Sequence, residues 1–415
     1  MTEIIKKKKV FYGWIIVAVV ALINLVLWGV LSTSFAIYMP EISETMNIST
    51  TVVSGAYSFG FAAFLFWCIL VGWATDKFGA RPVLLVGILL SAVGQVLMTQ
   101  STEAWHLYLT YGLFGTAGEA AAMVAGVSLV SRWFEKKRGL AVGIAQGFCG
   151  LGAFFAIIAE MTTESYGWQN SVWITTIVMV AICLPLLLLL RSTPEEIGLK
   201  PFGFGLKGAD DSELKPVSDV NFSFKEAIWT HQFWMIFFIG IVSMMGIGLS
   251  VHLKDIFQQA GFDGMITATV LTVAGICATL SAFILGWLSD HIGRKKILTI
   301  CFCMKMFSIF IILVASRGWH LYTWAVFGGM SAGTAVIFAP LLADWYGTKI
   351  HGRLFGVFQG AESIAGAASP VIVGLLINQF TWKAPFFVFL ALEVVVLILI
   401  FFLRKPKLQN LKRAL

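Results

Sequence analysis

Charged residues are scarce in this sequence. Asp, Glu, Lys and Arg make up 12% of its 415 residues, which is about half the share that is usual in a soluble domain. Hydrophobic residues reach 58%, and the mean hydropathy is +0.86. A soluble fold of this composition would have too little polar surface to face water, so we predict that lipid surrounds most of the chain.

Residue patterns for metal binding, redox chemistry or catalysis are also lacking. The six cysteines lie within apolar segments, and the Cys301-x-Cys303 pair has neither zinc nor redox spacing. The sequence shows no convincing Ser/His/Asp or Cys/His arrangement, no phosphate-binding loop and no ATP-binding domain. We therefore predict a protein that is not an enzyme and that uses no metal and no cofactor.

The net charge of +7 and the pI of about 9.1 could suggest a nucleic-acid partner. The basic residues, however, form short clusters between apolar segments, which is the arrangement that orients membrane proteins. We therefore predict contact with a lipid bilayer and none with nucleic acid. The first apolar segment is too long for the core of a cleavable signal peptide, so we expect no such peptide.

Apolar segments long enough to cross a bilayer recur throughout the chain. A spanning helix needs about 20 predominantly apolar residues, whereas the sustained period-two alternation of a membrane β-barrel is absent. We predict an all-α membrane protein with twelve transmembrane helices, at residues 11–35, 51–75, 82–101, 106–131, 139–160, 168–190, 232–253, 266–288, 297–315, 319–343, 354–377 and 383–403.

The distribution of Lys and Arg predicts the orientation of these spans. With the N-terminus placed inside, 25 of the 29 Lys and Arg residues fall in tails or loops on the inner side. Cytoplasmic loops of membrane proteins carry such an excess of basic residues. We therefore predict a multi-pass protein of the cell inner (plasma) membrane with both termini cytoplasmic.

The chain repeats itself at an offset of 212–214 residues. The offset relates four pairs: Asp76 and Asp290, Gln146 and Gln359, Trp133 and Trp345, and Trp168 and Trp382. Such self-similarity predicts two pseudo-symmetric six-helix bundles, residues 1–191 and 226–415, joined by a cytoplasmic linker at 192–225. In transporters built from two such halves, the solute site lies near mid-bilayer between them.

The loop after span 2 reads Asp76-x-x-Gly79-x-Arg81 and resembles the signature loop of the major facilitator superfamily. The second copy, after span 8, keeps the aspartate and the glycine and has lysine in place of the last arginine. The resemblance implies that each aspartate pairs with an arginine, caps a neighbouring helix and holds the halves together in an outward-open state. We predict gating roles for Asp76, Arg81, Asp290, Arg294 and Arg138.

Three stretches narrow the resemblance to the oxalate–formate antiporter and monocarboxylate transporter branch. They read RWFEKKRGLAVG from residue 132, TPEEIGL from residue 193 and QFW from residue 232. Anion-carrying members of that branch are expected to place an arginine in span 8 and, in the oxalate–formate type, a lysine in span 11. Ala282 and Glu362 stand near those places here. The resemblance therefore suggests monocarboxylates, whereas the residues suggest a zwitterion or an amine.

Two carboxyl groups lie deep in the predicted spans. Glu119 in span 4 lies about 20 Å from the inner end of its helix, and Glu362 in span 11 lies about 14 Å from its inner end. A charge at mid-bilayer costs about 2.5–3.5 kcal/mol on insertion scales, so each group is a functional candidate. Each suits a proton carrier or an anchor for a cationic or zwitterionic solute. The alternative is a carboxyl hydrogen-bonded between helices for packing alone.

Several polar and aromatic residues are weaker candidates for solute or proton binding. Gln146 and Gln359 occupy matched places in spans 5 and 11 and suit substrate contact or bonding between helices equally. His252, in the outer part of span 7, belongs to the residue type that titrates near pH ~6.5, but it fits a packing role as well. The remaining candidates are Asn24, Trp28 and Tyr57.

Lys305 in span 9 and Glu393 in span 12 are also charged residues within predicted spans. They lie about 14 and 17 Å from the inner ends of their helices. Because spans 9 and 12 can be neighbours, we predict a structural ion pair between the two side chains.

The sequence thus predicts a secondary transporter that moves a small organic solute by alternating access. Its predicted partners are the small-molecule solute, protons and the lipid bilayer, and we expect a monomer. Proton coupling through Glu119 or Glu362 is a hypothesis, and symport and antiport both fit. The alternatives are a multidrug/proton efflux antiporter, although span 5 lacks a Gly-Pro element and span 4 an arginine, and a non-transporting solute receptor.

Overall fold

The computed structural model describes residues 11–204, 222–259, 261 and 264–406. Within them, twelve helices are long and apolar enough to cross a membrane, which confirms the predicted all-α fold. The basic clusters at residues 6–9 and 407–413 and the middle of the linker, residues 205–221, lie outside the described residues. The predictions that fall on those segments therefore stay predictions.

The helices keep the predicted order, and most of their ends differ from the predicted ones by a few residues. Span 1 continues to Met46 because the helix runs through Pro40 and stops only where Asn47 adopts a left-handed conformation. The spans, numbered 1 to 12 in chain order, are Tyr12–Met46, Val52–Phe78, Ala80–Met98, Ala104–Trp133, Arg138–Tyr166, Trp168–Leu188, His231–Gln259, Gly264–Ile292, Arg294–Leu313, Gly318–Tyr346, His351–Gln379 and Ala384–Phe402.

Two glycines make the turns of the repeated loop. Gly79 separates span 2 from span 3 with a φ of +86°, and Gly293 separates span 8 from span 9 with a φ of +95°. A side chain with a Cβ disfavours such a positive φ. Each repeat therefore needs glycine to reverse the chain in a single residue between two spans.

Spans 1 and 4 contain wider, π-helical turns. In span 1 the π-helical stretch is Trp28–Thr33. In span 4 two such stretches, Tyr108–Gly115 and Ala121–Gly126, flank the single α-helical turn Thr116–Ala120 that carries Glu119. π-helical turns are rare and are found often at functional sites, so the helix geometry itself marks this part of the first half.

The halves meet most extensively at two helix pairs, spans 2 and 11 and spans 5 and 8. A methyl group on Gly352 would lie 2.7 Å from the backbone oxygen of Gly72, and one on Gly286 would lie 2.5 Å from that of Gly139. These contacts lie at one end of the bundle, which carries the loops after spans 2, 4, 8 and 10, and we call this end the basic face. We call the surface between spans 2 and 11, and that between spans 5 and 8, the two seams. At the basic face the helix backbones are packed too closely to leave a passage along either seam.

The described ends of the linker are each anchored to the half that they adjoin. The Phe202 backbone N–H donates to Trp133 O, at the end of span 4, at 2.8 Å. Beyond the residues that are not described, the Phe222 ring packs against Tyr346 of span 10 with the ring centroids 5.3 Å apart. Ser223 then caps a short helix, Phe224–Ile228, that leads into span 7.

Candidate solute site and gate

Glu119 lies between spans 4 and 1 in the first half. Its residue is only 9% exposed, and Ser32 Oγ donates a hydrogen bond to Glu119 Oε1 at 2.5 Å. Its other carboxylate oxygen has no hydrogen-bond partner among the described residues. The carboxyl is therefore half satisfied, with one oxygen left for a ligand or a proton.

Two tyrosines, Tyr57 and Tyr111, lie near this carboxyl and belong to a cluster of aromatic rings, the aromatic wall, that also includes Phe35 and Phe61. Tyr57 and Phe61 of span 2 stand at 77° to each other with their centroids 5.7 Å apart. Behind them, the buried rings of Phe35 and Tyr111 are stacked with centroids 3.6 Å apart. Glu119 lies within electrostatic range of the hydroxyl groups of Tyr57 and Tyr111. The first half thus combines a buried carboxyl with an aromatic wall.

Glu362 lies on span 11, against span 7 in the second half. It is 4% exposed, and its Oε1 is 3.1 Å from the place that a Cβ on Gly240 would take. Its carboxyl makes no hydrogen bond or ion pair within the described part of the chain. Cys68 of span 2 is within electrostatic range across the seam. Glu362 is thus a buried acid without a partner, beside the surface on which the halves meet.

The deepest cation of the second half is already engaged. Lys305 Nζ lies 3.1 Å from Glu393 Oε1, so the structure brings the two residues of the predicted ion pair together. The same ammonium group donates to Ser243 O of span 7 at 3.1 Å. No described Lys or Arg side chain pairs with Glu119 or Glu362.

Three of the weaker candidates make no hydrogen bond to either carboxyl in the described chain. Asn24 donates to Ala145 O at 2.9 Å and so ties span 1 to span 5. His252 Nε2 lies 3.0 Å from Pro370 O and so connects span 7 to span 11. Trp28 is 40% exposed and has no described polar contact. The two polar side chains therefore hold neighbouring helices together.

The two glutamines differ in their surroundings. Gln146 Nε2 has only a contact of 3.5 Å with Met123 Sδ, and its Oε1 is buried without a hydrogen-bond partner in the described chain. Gln359 is buried three residues before Glu362 on the same helix. A buried amide oxygen without a donor is costly, so Gln146 remains a candidate for solute contact.

In the first copy of the repeated loop, Asp76 caps the first turn of span 11. Its two carboxylate oxygens accept hydrogen bonds from the backbone N–H groups of Gly352 and Arg353, both at 3.0 Å. Arg132 Nη2 lies 3.1 Å from the same carboxylate. Arg353 Nε also lies 3.8 Å from Asp76 Oδ2. Arg81 has no ion pair among the described residues, so the arginines near Asp76 are Arg132 and Arg353.

In the second copy, Asp290 caps the first turn of span 5 in the same way. It accepts from the backbone N–H groups of Gly139 and Leu140, both at 2.8 Å, and Arg294 Nη2 lies 2.7 Å from it. Each aspartate thus holds a helix of the opposite half. Helix N-termini favour such a negative charge.

Asp344 of span 10 forms ion pairs at the basic face and was not predicted from the sequence. Its carboxylate pairs with Arg138 across the seam, and Arg294 Nε lies 3.1 Å from it. Arg138 is only 1% exposed, so this carboxylate compensates a buried charge. The sequence held a signal for Asp344, because at an offset of 212 it is the equivalent of Arg132 in the repeat.

His351, at the start of span 11, was also missed. Its ring is fully buried, with Nδ1 2.9 Å from Ser128 Oγ of span 4 and Nε2 2.9 Å from Ala339 O of span 10. The histidine thus joins three spans from both halves at the basic face. At an offset of 213, His351 is the equivalent of Arg138 in the repeat. The two halves thus use different side chains at equivalent positions of the basic face.

Known proteins share this arrangement of two similar six-helix halves. The family model of the Major Facilitator Superfamily matches residues 17–277 and 233–414. The chain belongs to the Major Facilitator Superfamily. It is therefore a multi-pass membrane transporter and not an enzyme.

Curated relatives within the superfamily point to one branch. Monocarboxylate transporter 13 of Rattus norvegicus is 25% identical over 88% of this chain and 82% of its own length. Monocarboxylate transporter 11 of Homo sapiens is 24% identical over 86% of this chain and 71% of its own length. An uncharacterized MFS-type transporter, YcxA, of Bacillus subtilis is 24% identical over 83% and 84%. The resemblance to the monocarboxylate transporter branch is confirmed.

Solved superfamily structures share the fold. The fucose:proton symporter FucP of E. coli superimposes with a TM-score of 0.71 over 96% of this chain and all of its own, at 16% identity. A structure of FucP in the outward conformation gives a TM-score of 0.72 over 95% of this chain, also at 16% identity. The two-bundle architecture is therefore that of a Major Facilitator Superfamily transporter.

Proposed function

We propose that this superfamily member is a proton-coupled secondary transporter that carries a small organic solute by alternating access. The observation that carries the proposal is Glu362, a buried acid with no hydrogen bond or ion pair in the described chain. An isolated carboxylate is expensive to bury, whereas its protonated form is not. A proton is therefore the simplest partner for this group when the seam is closed.

The position of Glu362 suits a group that exchanges its proton during the cycle. It lies on span 11, which packs against span 2 of the other half. When the halves rock apart, such a seam admits water, and water favours the charged form of a carboxyl. Loading and release of the proton would then follow the movement of the halves.

The contacts between the halves at the basic face, which we call the gate, also support alternating access. Both aspartate caps and the Arg138–Asp344 pair bridge the two halves at the basic face. These bonds must break together for that face to open, and they must re-form for it to close. We propose that the basic face is cytoplasmic and that this conformation exposes the solute site to the opposite side.

The solute is small and organic in this proposal. The names of the relatives suggest a monocarboxylate, whereas two buried carboxyls without a cation favour a zwitterion or an amine. Ala282 stands where an anion carrier is expected to have an arginine. It packs against Gly143 and Gly147 of span 5, so a long side chain has no room there in this conformation.

Proteoliposomes that contain the full chain test the proposal. A panel of carboxylates, betaines and amines is screened for uptake with and without a pH gradient, in the wild type, Glu362→Gln and Glu119→Gln. We expect the gradient to raise uptake at least ~10-fold in the wild type, and Glu362→Gln to remove this response while solute exchange at equal pH continues.

The same vesicles separate the alternatives. An unchanged response to the pH gradient in Glu362→Gln would exclude this residue as the proton carrier. Export of many unrelated dyes would favour a multidrug antiporter instead. Tight solute binding with no flux under any gradient would favour a receptor.

A further inference from the structure

The chemistry around Glu119 narrows the class of solute, and this inference rests on the proposed transport function. Glu119 as a residue is 9% exposed, and Ser32 occupies only one of its carboxylate oxygens. The other oxygen is an acceptor with no donor in the described chain. An acceptor on a largely buried residue suits a positively charged or hydrogen-bonding partner from outside the chain.

The aromatic wall next to Glu119 has the geometry that a cation requires. Tyr57 and Phe61 are partly exposed, and their nearly perpendicular rings form two sides of a corner. The buried rings of Phe35 and Tyr111 stack on Tyr57 and so support its ring. Ring faces attract ammonium groups, and cages of aromatic rings are the usual sites for methylated ammonium groups.

The charges around the site favour a cation over an anion. No described Lys or Arg side chain pairs with Glu119 or Glu362, and Lys305 is already bound by Glu393 and Ser243 O. A free carboxylate that approaches Glu119 would meet an acid and no paired basic side chain in the described chain. An ammonium group would instead supply the missing positive charge.

The outer end of the first half carries charge of the same sign. Glu41 and Glu44 near the end of span 1, and Glu160 and Glu164 near the end of span 5, are exposed at the end opposite the basic face. These two helix ends pack against each other. Grouped charges of one sign raise the local concentration of oppositely charged solutes, so this end attracts cations.

We infer that Glu119, Tyr57 and Phe61 form a subsite for an organic ammonium group. The solute is accordingly an amine, a quaternary ammonium compound or a zwitterion with an ammonium group. The carboxylate of Glu119 faces the positive charge, the two rings surround its alkyl or methyl groups, and Ser32 fixes the direction of the carboxylate.

Binding to the purified full chain, at one pH and without a gradient, tests this subsite. Each ammonium compound is compared with an isostere in which uncharged carbon replaces the positively charged nitrogen: choline with 3,3-dimethyl-1-butanol, glycine betaine with 3,3-dimethylbutyrate, which keeps the carboxylate, and ethanolamine with 1-propanol. Isothermal titration measures both members of each pair. We expect at least one ammonium compound to bind ~10-fold or more tightly than its isostere.

Variants assign this preference to the residues. Glu119→Gln is expected to bring the two members of the pair within about twofold of each other. Phe61→Leu is expected to weaken only the ammonium compound, by about 3- to 10-fold, as expected for a lost cation–π contact. Phe59→Leu is the matched control, because Phe59 is on the same span but packs on Tyr108, and it should leave both affinities unchanged.

Two results would overturn the subsite. One is a wild type with no charge preference in any pair, including no binding at all. The other is a preference that survives in Glu119→Gln protein with a normal thermal melt. Because binding is measured without a gradient, a failure here leaves the proton coupling through Glu362 standing, and a failure of that coupling leaves the ammonium subsite standing.

Discussion

The two halves of the molecule share one helix plan but hold different chemistry at their centres. In the first half, Glu119 has a serine donor and an aromatic wall. In the second half, Glu362 has neither a hydrogen bond nor an ion pair in the described chain. At an offset of 213, the equivalent of Glu362 in the first half is Cys149, and the equivalent of Glu119 in the second half is Ala332. Each carboxyl is therefore present in one half only. This difference is the basis of our proposal that one half binds the solute and the other binds the proton.

The gate shows the same contrast at the basic face. Asp76 and Asp290 are repeated with nearly the same geometry. The residues around them are not repeated, because Arg132 of the first half stands opposite Asp344 of the second. Duplication thus preserved the backbone contacts between the halves, while the side chains around these contacts diverged.

The strongest test of this contrast compares Asp344→Asn with Asp76→Asn. Loss of the Asp344 charge leaves Arg138, which is 1% exposed, without a counter-charge. Loss of the Asp76 charge affects Arg132, whose side chain is 14% exposed. We expect Asp344→Asn to destabilise the closed basic face by about 3 kcal/mol, or about a hundredfold in the opening equilibrium, and Asp76→Asn to have a smaller effect.

Hydrogen–deuterium exchange measures this opening directly. The amides of Gly139 and Leu140 are bonded to Asp290 across the seam, so their exchange rate reports how often the face opens. Faster exchange in Asp76→Asn than in Asp344→Asn would contradict the assigned asymmetry.

A second test fills the space beside Glu362. In Gly240→Ala, the new methyl group would press on the Phe358 ring and lie 3.1 Å from Glu362 Oε1. In Gly246→Ala, on the same span, the nearest atoms are those of Lys305 at 3.5 Å, which is an ordinary contact. We expect gradient-driven uptake to fall about tenfold in the first variant and to stay within about twofold in the second, at equal protein levels. Equal loss in both would show that span 7 tolerates no added volume.

The smallest expected effect concerns the partner of Glu119. Ser32→Ala removes the donor that stabilises the charged carboxylate, which is worth about 1 kcal/mol, or about fivefold in affinity for an ammonium solute. The neutral carboxyl is then favoured, so the binding curve moves to higher pH. Titrations across a pH series measure the shift. Ser165→Ala, which removes a bond from Ser165 to the backbone of its own helix, should leave the curve in place.

The fold could be read from the sequence because hydropathy is a local property. Each span is long and apolar enough to be recognised without its neighbours, and the repeat placed Asp76 and Asp290 at equivalent helix ends. The end of span 1 was placed too early because Ser34–Met46 remains helical although its sequence becomes more polar.

The site was only partly predictable because its contacts join distant parts of the chain. Ser32 and Glu119 are 87 residues apart, and Arg138 and Asp344 are 206 apart. Residue type and depth marked Glu119 and Glu362 as candidates but could not show which of them has a partner. The loop motif likewise suggested Arg81, whereas the fold brings Arg132 to Asp76.

Each aspartate cap is satisfied by main-chain amides of the opposite half. What is recognised is the beginning of a helix, and the identity of the side chains there matters little provided that glycine permits the approach. Sequence changes around these caps are therefore tolerated, and a lineage of such proteins can change its interior for a new solute while keeping the backbone contacts that close the basic face.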